Sequence, residues 1–125
     1  MPSPPLAPDD GPIDNDHLDR MTLGDSALEH EVLAMFSAQA VGLIARLVTL
    51  RSDGKSFDGR SSEGLALAHT LKGSARAIGA FRVADAAEAL EAVIRNGEDS
   101  SKAMAGLKDT VAEARTAIDA RLRRS

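Results

Sequence analysis

The segment Leu65-Ala66-Leu67-Ala68-His69-Thr70-Leu71-Lys72-Gly73-Ser74-Ala75-Arg76-Ala77-Ile78-Gly79 combines one histidine, two cations and a stripe of aliphatic residues. Wound as a helix at about 100° per residue, it gathers Leu67, Leu71, Ser74, Ala75 and Ile78 on one side as a core face. His69, Lys72, Gly73 and Arg76 fall on the other, so the histidine is expected to face water. A solvent-facing imidazole is substantially neutral at pH 7, which leaves one ring nitrogen as a free nucleophile. Lys72 at i+3 and Arg76 at i+7 share its side of the helix. Both would attract an arriving phosphoryl group and hold the negative charge it brings. Gly73, at i+4, lies directly beside the ring and leaves room for a partner to press on it. A glycine inside a helix costs ~1 kcal/mol relative to alanine, so its place next to the outward histidine asks for a reason. Leu65 shares the outward sector, an apolar residue where a solvated face should be polar.

The elements that must hold this segment are helical. All five prolines lie in the first twelve residues, and the 125-residue chain contains 22 alanines. Proline breaks helix interiors and alanine is the best helix former. Residues 1–12 read as a disordered, proline-rich arm, and residues 13–125 as one domain. Ile13 to Met21 is expected to be a short helix with Ile13, His17, Leu18 and Met21 on one side. Ser26 followed by Glu29 is a capping-box pattern that starts a long helix. Its apolar stripe is read as Leu28, Val32, Met35, Gln39, Leu43, Leu47 and Leu50, with Gln39 the one polar lapse. Gly42 reads as an aid to close helix packing. Residues 52–62 form a loop rich in Ser, Asp and Gly.

A second long helix is expected from Ser62 to Ile78, closed by Gly79 in the left-handed conformation. A third runs from Phe81 to Arg95 with Val83, Ala87, Leu90 and Ile94 inward. A fourth runs from Ser100 to Arg123 with Leu107, Val111, Ala114, Ile118 and Leu122 inward. Four amphipathic helices with short links predict an all-α, antiparallel four-helix bundle with a short extra N-terminal helix.

Composition excludes several functions. Three Phe, no Tyr and no Trp argue against a nucleic-acid binder built on stacking. The net charge of −4 gives no pull toward nucleic acid or an anionic membrane. Without cysteine there is no disulfide scaffold, thiol nucleophile or zinc knuckle. Three scattered histidines with no His-x-x-x-His pair argue against a metal site. His17 and His30 read as solvated residues. The longest clearly apolar stretch, Ala40 to Ala45, is far too short to span a bilayer. Residues 1–12 lack a basic segment followed by an apolar run, so no secretory signal is expected, and a cytoplasmic location fits. No phosphate-cradling glycine loop accompanies a Lys-Ser/Thr pair, so no nucleotide site is expected.

The run His69-Thr70-Leu71-Lys72-Gly73-Ser74-Ala75, with Ile78-Gly79-Ala80 after it, resembles the signature of histidine phosphotransfer (HPt) domains. Ala87-Glu88-Ala89-Leu90-Glu91 is similar to that family's following helix, and the resemblance spans nearly all of residues 13–125. It implies a stand-alone phosphocarrier of a two-component phosphorelay without kinase or hydrolase activity of its own. His69 would carry the phosphoryl group and exchange it with the aspartate of a response-regulator receiver domain. Lys72 would give electrostatic support, and Leu65, Gly73 and Arg76 would meet the partner. A hybrid histidine kinase is a further implied partner. The chain would hold no cofactor, with Mg²⁺ belonging to the receiver. Arg76-Ala77 stands where many members have smaller or polar residues, and no glutamine on the next helix is placed to orient the ring. A complete internal core suits a monomer. Two other classes stay open. One is a dimerising phosphoacceptor bundle of the sensor-kinase type, against which Thr70 and the lack of a following proline argue. The other is a helical adaptor without phosphate chemistry.

Overall fold

The computed structural model describes residues 11–51 and 53–123. Most of the expected N-terminal arm, residues 1–10, lies outside them; Gly11 and Pro12 are half-buried. The described chain is all-α, with five helices and no strand: α1 (Asn15–Thr22), α2 (Ser26–Leu50), α3 (Ser61–Ile78), α4 (Phe81–Arg95) and α5 (Ser101–Arg123). The four long helices close a ring. α3 packs on α2 and α4, α5 packs on the same two, and α1 lies across α2 and α3. The backbones of α2 and α4, and of α3 and α5, stay apart across the ring, and the side chains of all four helices form one core at its centre. Leu33, Leu47, Leu71, Leu90, Leu107 and Ile118 are fully buried there.

Side chains at the helix ends explain where they start and stop. Asp25, not Ser26, caps α2: its carboxylate accepts the Leu28 N–H at 3.1 Å, and Ser26 is already helical. An aspartate immediately before a serine can take the cap position itself. α3 ends as expected at Gly79, with φ 86°. The same glycine allows a close approach, because a Cβ there would lie 2.9 Å from the Asp14 carbonyl oxygen. The Asp14 N–H donates to the Gly79 carbonyl at 2.8 Å, so the start of α1 is tied to the α3–α4 turn. The 51–60 loop is anchored by Phe57, which is buried beneath Gly64. Buried Ser100 donates its N–H to the Lys55 carbonyl at 2.7 Å, which binds the loop to the start of α5.

Two readings of helix faces are corrected. In α1, Thr22 is buried in place of Met21, which is 41 % exposed. The α2 core stripe is Leu33, Phe36, Ala40, Leu43, Leu47 and Leu50. Leu28, Met35 and Gln39 face solvent instead, and Val32 is half-buried. The cause lies in the composition of α2, which is apolar on nearly every side between Val32 and Leu50, so periodicity alone selects no face. By length and composition α2 is also apolar enough to cross a membrane, which the short Ala40–Ala45 stretch does not suggest. Core helices of water-soluble bundles meet the same criterion.

Candidate functional site

α3 presents His69 outward, with its side chain 73 % exposed. Its position follows from the core stripe of Leu67, Leu71, Ala75 and Ile78 on the opposite side of the helix. Gly73 is exposed, and a Cβ there would meet no atom within 4 Å. The surface beside the ring is therefore open. Arg76 is exposed and extends toward Glu88 of α4, with Nη2 3.6 Å from Oε1.

Two expected site residues stand differently. Lys72 does not stand in water: its side chain is only 13 % exposed, and Nζ lies 2.9 Å from Glu91 Oε1. It projects toward α4, the helix most extensively packed on α3, so its methylene stem is covered and its ammonium finds a carboxylate. Leu65 is partly buried against the core and does not form an exposed apolar contact beside the histidine.

Glu91 is the site residue that sequence reasoning misses. Its side chain is 7 % exposed, yet it faces three groups. Lys72 Nζ is at 2.9 Å, His69 Nδ1 lies 3.8 Å from Oε2, and Arg95 Nη2 lies 3.7 Å from Oε2. A buried carboxylate is held by its cations, because an unpaired one would be strongly disfavoured. The signal was present: Glu91 continues the inward series Ala84, Ala87, Glu91, Ile94 of α4, where a solvated acid has no place. At 3.8 Å the His69–Glu91 approach is too long for a direct hydrogen bond. It does turn Nδ1 toward Glu91.

On the other flank of α3, a groove of about 310 Å³ runs between α2 and α3, lined by Val32, Met35, Phe36, Gln39, Ser74, Ala77 and Ile78. His17 borders this region and is half-buried, contrary to the expectation of a solvated residue. Its Nε2 lies 3.0 Å from the Ala77 carbonyl, and its ring meets Phe81 edge-on at 5.2 Å. Among the described residues no cluster of three acidic or histidine side chains could hold a metal ion. A family model for the Hpt domain matches residues 31–117 of the chain. No curated protein and no solved structure matches it.

Proposed function

The chain belongs to the Hpt domain family, and on that premise we propose that His69 is the phosphoryl carrier. Hpt domains perform histidine phosphotransfer in phosphorelays. In the proposed step the lone pair of His69 Nε2 attacks the phosphorus of a receiver's aspartyl phosphate. The N–P bond forms as the P–O bond to the aspartate breaks, and the aspartate leaves as a carboxylate. The reverse step passes the group to a second receiver, and a hybrid histidine kinase is a further candidate donor.

What supports the reading most directly is the pairing of an exposed histidine with an open Gly73 one turn on. In-line attack needs the two proteins to approach closely, and nothing at Gly73 obstructs that. Nδ1 faces Glu91, so a proton held on Nδ1 leaves Nε2 as the outward nucleophile. A small ring movement or one bridging water would complete that contact. Glu91 is thus a positioning residue, filling the role for which no glutamine is found. Lys72 supports the phosphoryl group by turning part-way from Glu91 toward it, and Arg76 adds positive charge at the rim. The partner covers Gly73 and spreads over Ala77 into the apolar groove at Val32 and Met35. Leu65, partly buried against the core, offers the partner only its remaining exposed edge.

Residues 13–125 constitute the phosphotransfer unit, with α2 to α5 as an antiparallel four-helix bundle and α1 as its short leading helix. The chain itself holds no cofactor; Mg²⁺ is the receiver's contribution, and the exchange takes place in the cytoplasm. Phosphotransfer profiling tests the reading: the full chain is incubated with each phosphorylated receiver domain of its own organism. Acid-labile label on the wild-type chain and none on His69→Gln is the expected pattern. Equal labelling of both would overturn it.

A further inference from the structure

The proposed transfer asks Lys72 to turn toward the phosphoryl group on His69, and Glu91 opposes that movement. The Lys72 ammonium is the nearest cation to Glu91, with Nζ 2.9 Å from Oε1. The Glu91 side chain is 7 % exposed, and no solvent reaches Oε1. A buried carboxylate stripped of its cation is strongly disfavoured, so Lys72 is held back unless another cation steps in. Arg76 faces no such difficulty. Its partner Glu88 is 59 % exposed, and leaving a solvated carboxylate costs little.

Arg95 is placed to step in. It stands four residues after Glu91, in the last turn of α4, and acid before base is the favourable order for an i, i+4 pair on a helix. Its Nη2 lies 3.7 Å from Glu91 Oε2, and its side chain is 63 % exposed. That is a loose ion pair, too long for a hydrogen bond. Closing by about 0.9 Å would make it a charge-assisted one, and an exposed guanidinium is free to move that far. Lys72 is itself held by charge rather than by direction: Oε1 has no aligned hydrogen bond, although Nζ is close. The two cations approach different oxygens, so neither blocks the other. Oε2 has two lone pairs, and it can accept from Arg95 while His69 Nδ1 stays beside it at 3.8 Å.

We infer that Arg95 is a positioning residue of the transfer site: it closes on Glu91 as Lys72 swings to the phosphoryl group on His69, and so keeps the buried carboxylate neutralised through the step. The inference rests on the carrier reading of His69. It gives the two cations different tasks. Lys72 reaches the phosphoryl oxygens, whereas Arg95 does not touch them and acts through Glu91. One positive charge stays on Glu91 before and after transfer, and one is released to the transferring group. Two cations converge on one acid for that reason, where a static ion pair needs only one.

Two double-mutant cycles on the full chain test it, one by urea melt and one by transfer rate. With Lys72 present, Arg95→Ala should leave the urea midpoint of the unphosphorylated chain where it is. In a Lys72→Ala background the same change removes the remaining cation from Glu91, and should lower the midpoint by more than the two single shifts combined. In transfer from a phosphorylated receiver domain, Arg95→Ala should slow labelling of His69 several-fold, as Lys72→Ala does. The double variant should be no slower than Lys72→Ala. Arg95→Lys keeps the charge and should recover most of the rate. Additive midpoint shifts would overturn the inference. So would transfer defects that multiply, as a direct contact between Arg95 and the receiver would give. A wild-type rate in Arg95→Ala, or an Arg95→Lys variant as slow as Arg95→Ala, would overturn it too. A wild-type chain that takes no label overturns the carrier reading and this role of Arg95 with it, whereas multiplying defects on a chain that labels overturn the role of Arg95 alone.

Discussion

At the scale of single residues, the proposed chemistry rests on three side chains whose environments differ sharply. His69 stands in water, Glu91 is almost wholly covered, and Lys72 lies between them. The sequence makes His69 legible because the core stripe of Leu67, Leu71, Ala75 and Ile78 sits on the opposite side of α3. It misplaces Lys72 because a helical wheel knows nothing of α4, and it passes over Glu91 because the acid looks like one more charge in an alternating run. On the proposed mechanism Lys72→Ala should slow phosphoryl transfer several-fold without abolishing it, on the scale of about 1 kcal/mol for one charge contact. A rate equal to wild type at low salt would remove Lys72 from the mechanism. Glu91→Ala should do more. It leaves Lys72 without its partner and should cost about 1–3 kcal/mol in a urea melt. It should also free the ring, seen as a shift in the His69 Nδ1–H to Nε2–H tautomer ratio by ¹⁵N NMR. Glu91→Gln, which keeps an oxygen acceptor, should recover the tautomer ratio. If neither variant alters it, Glu91 does not position the ring.

At the scale of elements, helix ends were more legible than helix faces. Gly79 ends α3 as its type predicts, whereas the core face of α2 was read about one residue out of register over its first half. Helix ends are set by local chemistry, but a helix apolar on nearly every side takes its inward face from neighbours remote in sequence. Gly79→Ala should destabilise the chain by about 1–3 kcal/mol, since it adds a Cβ at positive φ against the Asp14 carbonyl. A chemical melt unchanged by this substitution would mean the turn can relax. Gly73→Gln tests the opposite behaviour. It should keep or raise helicity, because glycine is the poorer helix former, while blocking transfer by occupying the space a receiver needs. Unfolding, or transfer at full speed, would each contradict that. The lead-in to α5 carries a pH dependence. Asp99 accepts the Ser101 N–H at 2.8 Å, and that hydrogen bond holds its carboxyl below the usual carboxylate range. A depressed folded value contributes stability above the unfolded value and loses it as pH falls through the folded one. Asp99→Asn should therefore flatten the loss of stability below about pH 4.

At the scale of the whole molecule, the fold class was legible from proline placement and alanine content alone, because both act through the backbone. The ties that close the ring were not, since they join residues far apart in the chain. Arg121 near the end of α5 reaches Glu29 at 2.7 Å and Asp19 at 3.5 Å, and also contacts Asn15, so it fastens α5 to α1 and α2. These partners hold its guanidinium firmly charged, with the Glu29 hydrogen bond the largest cause. The family assignment and the open surface around His69 together make phosphoryl carriage the central claim. Intact-protein mass spectrometry at neutral pH, after incubation with a phosphorylated receiver of the same organism and Mg²⁺, tests it most directly. The account predicts a single added phosphoryl group that is lost in acid, mapped to His69 and absent from a folded His69→Gln variant. An adduct that persists in His69→Gln would contradict it, as would the failure of every receiver to label the wild-type chain.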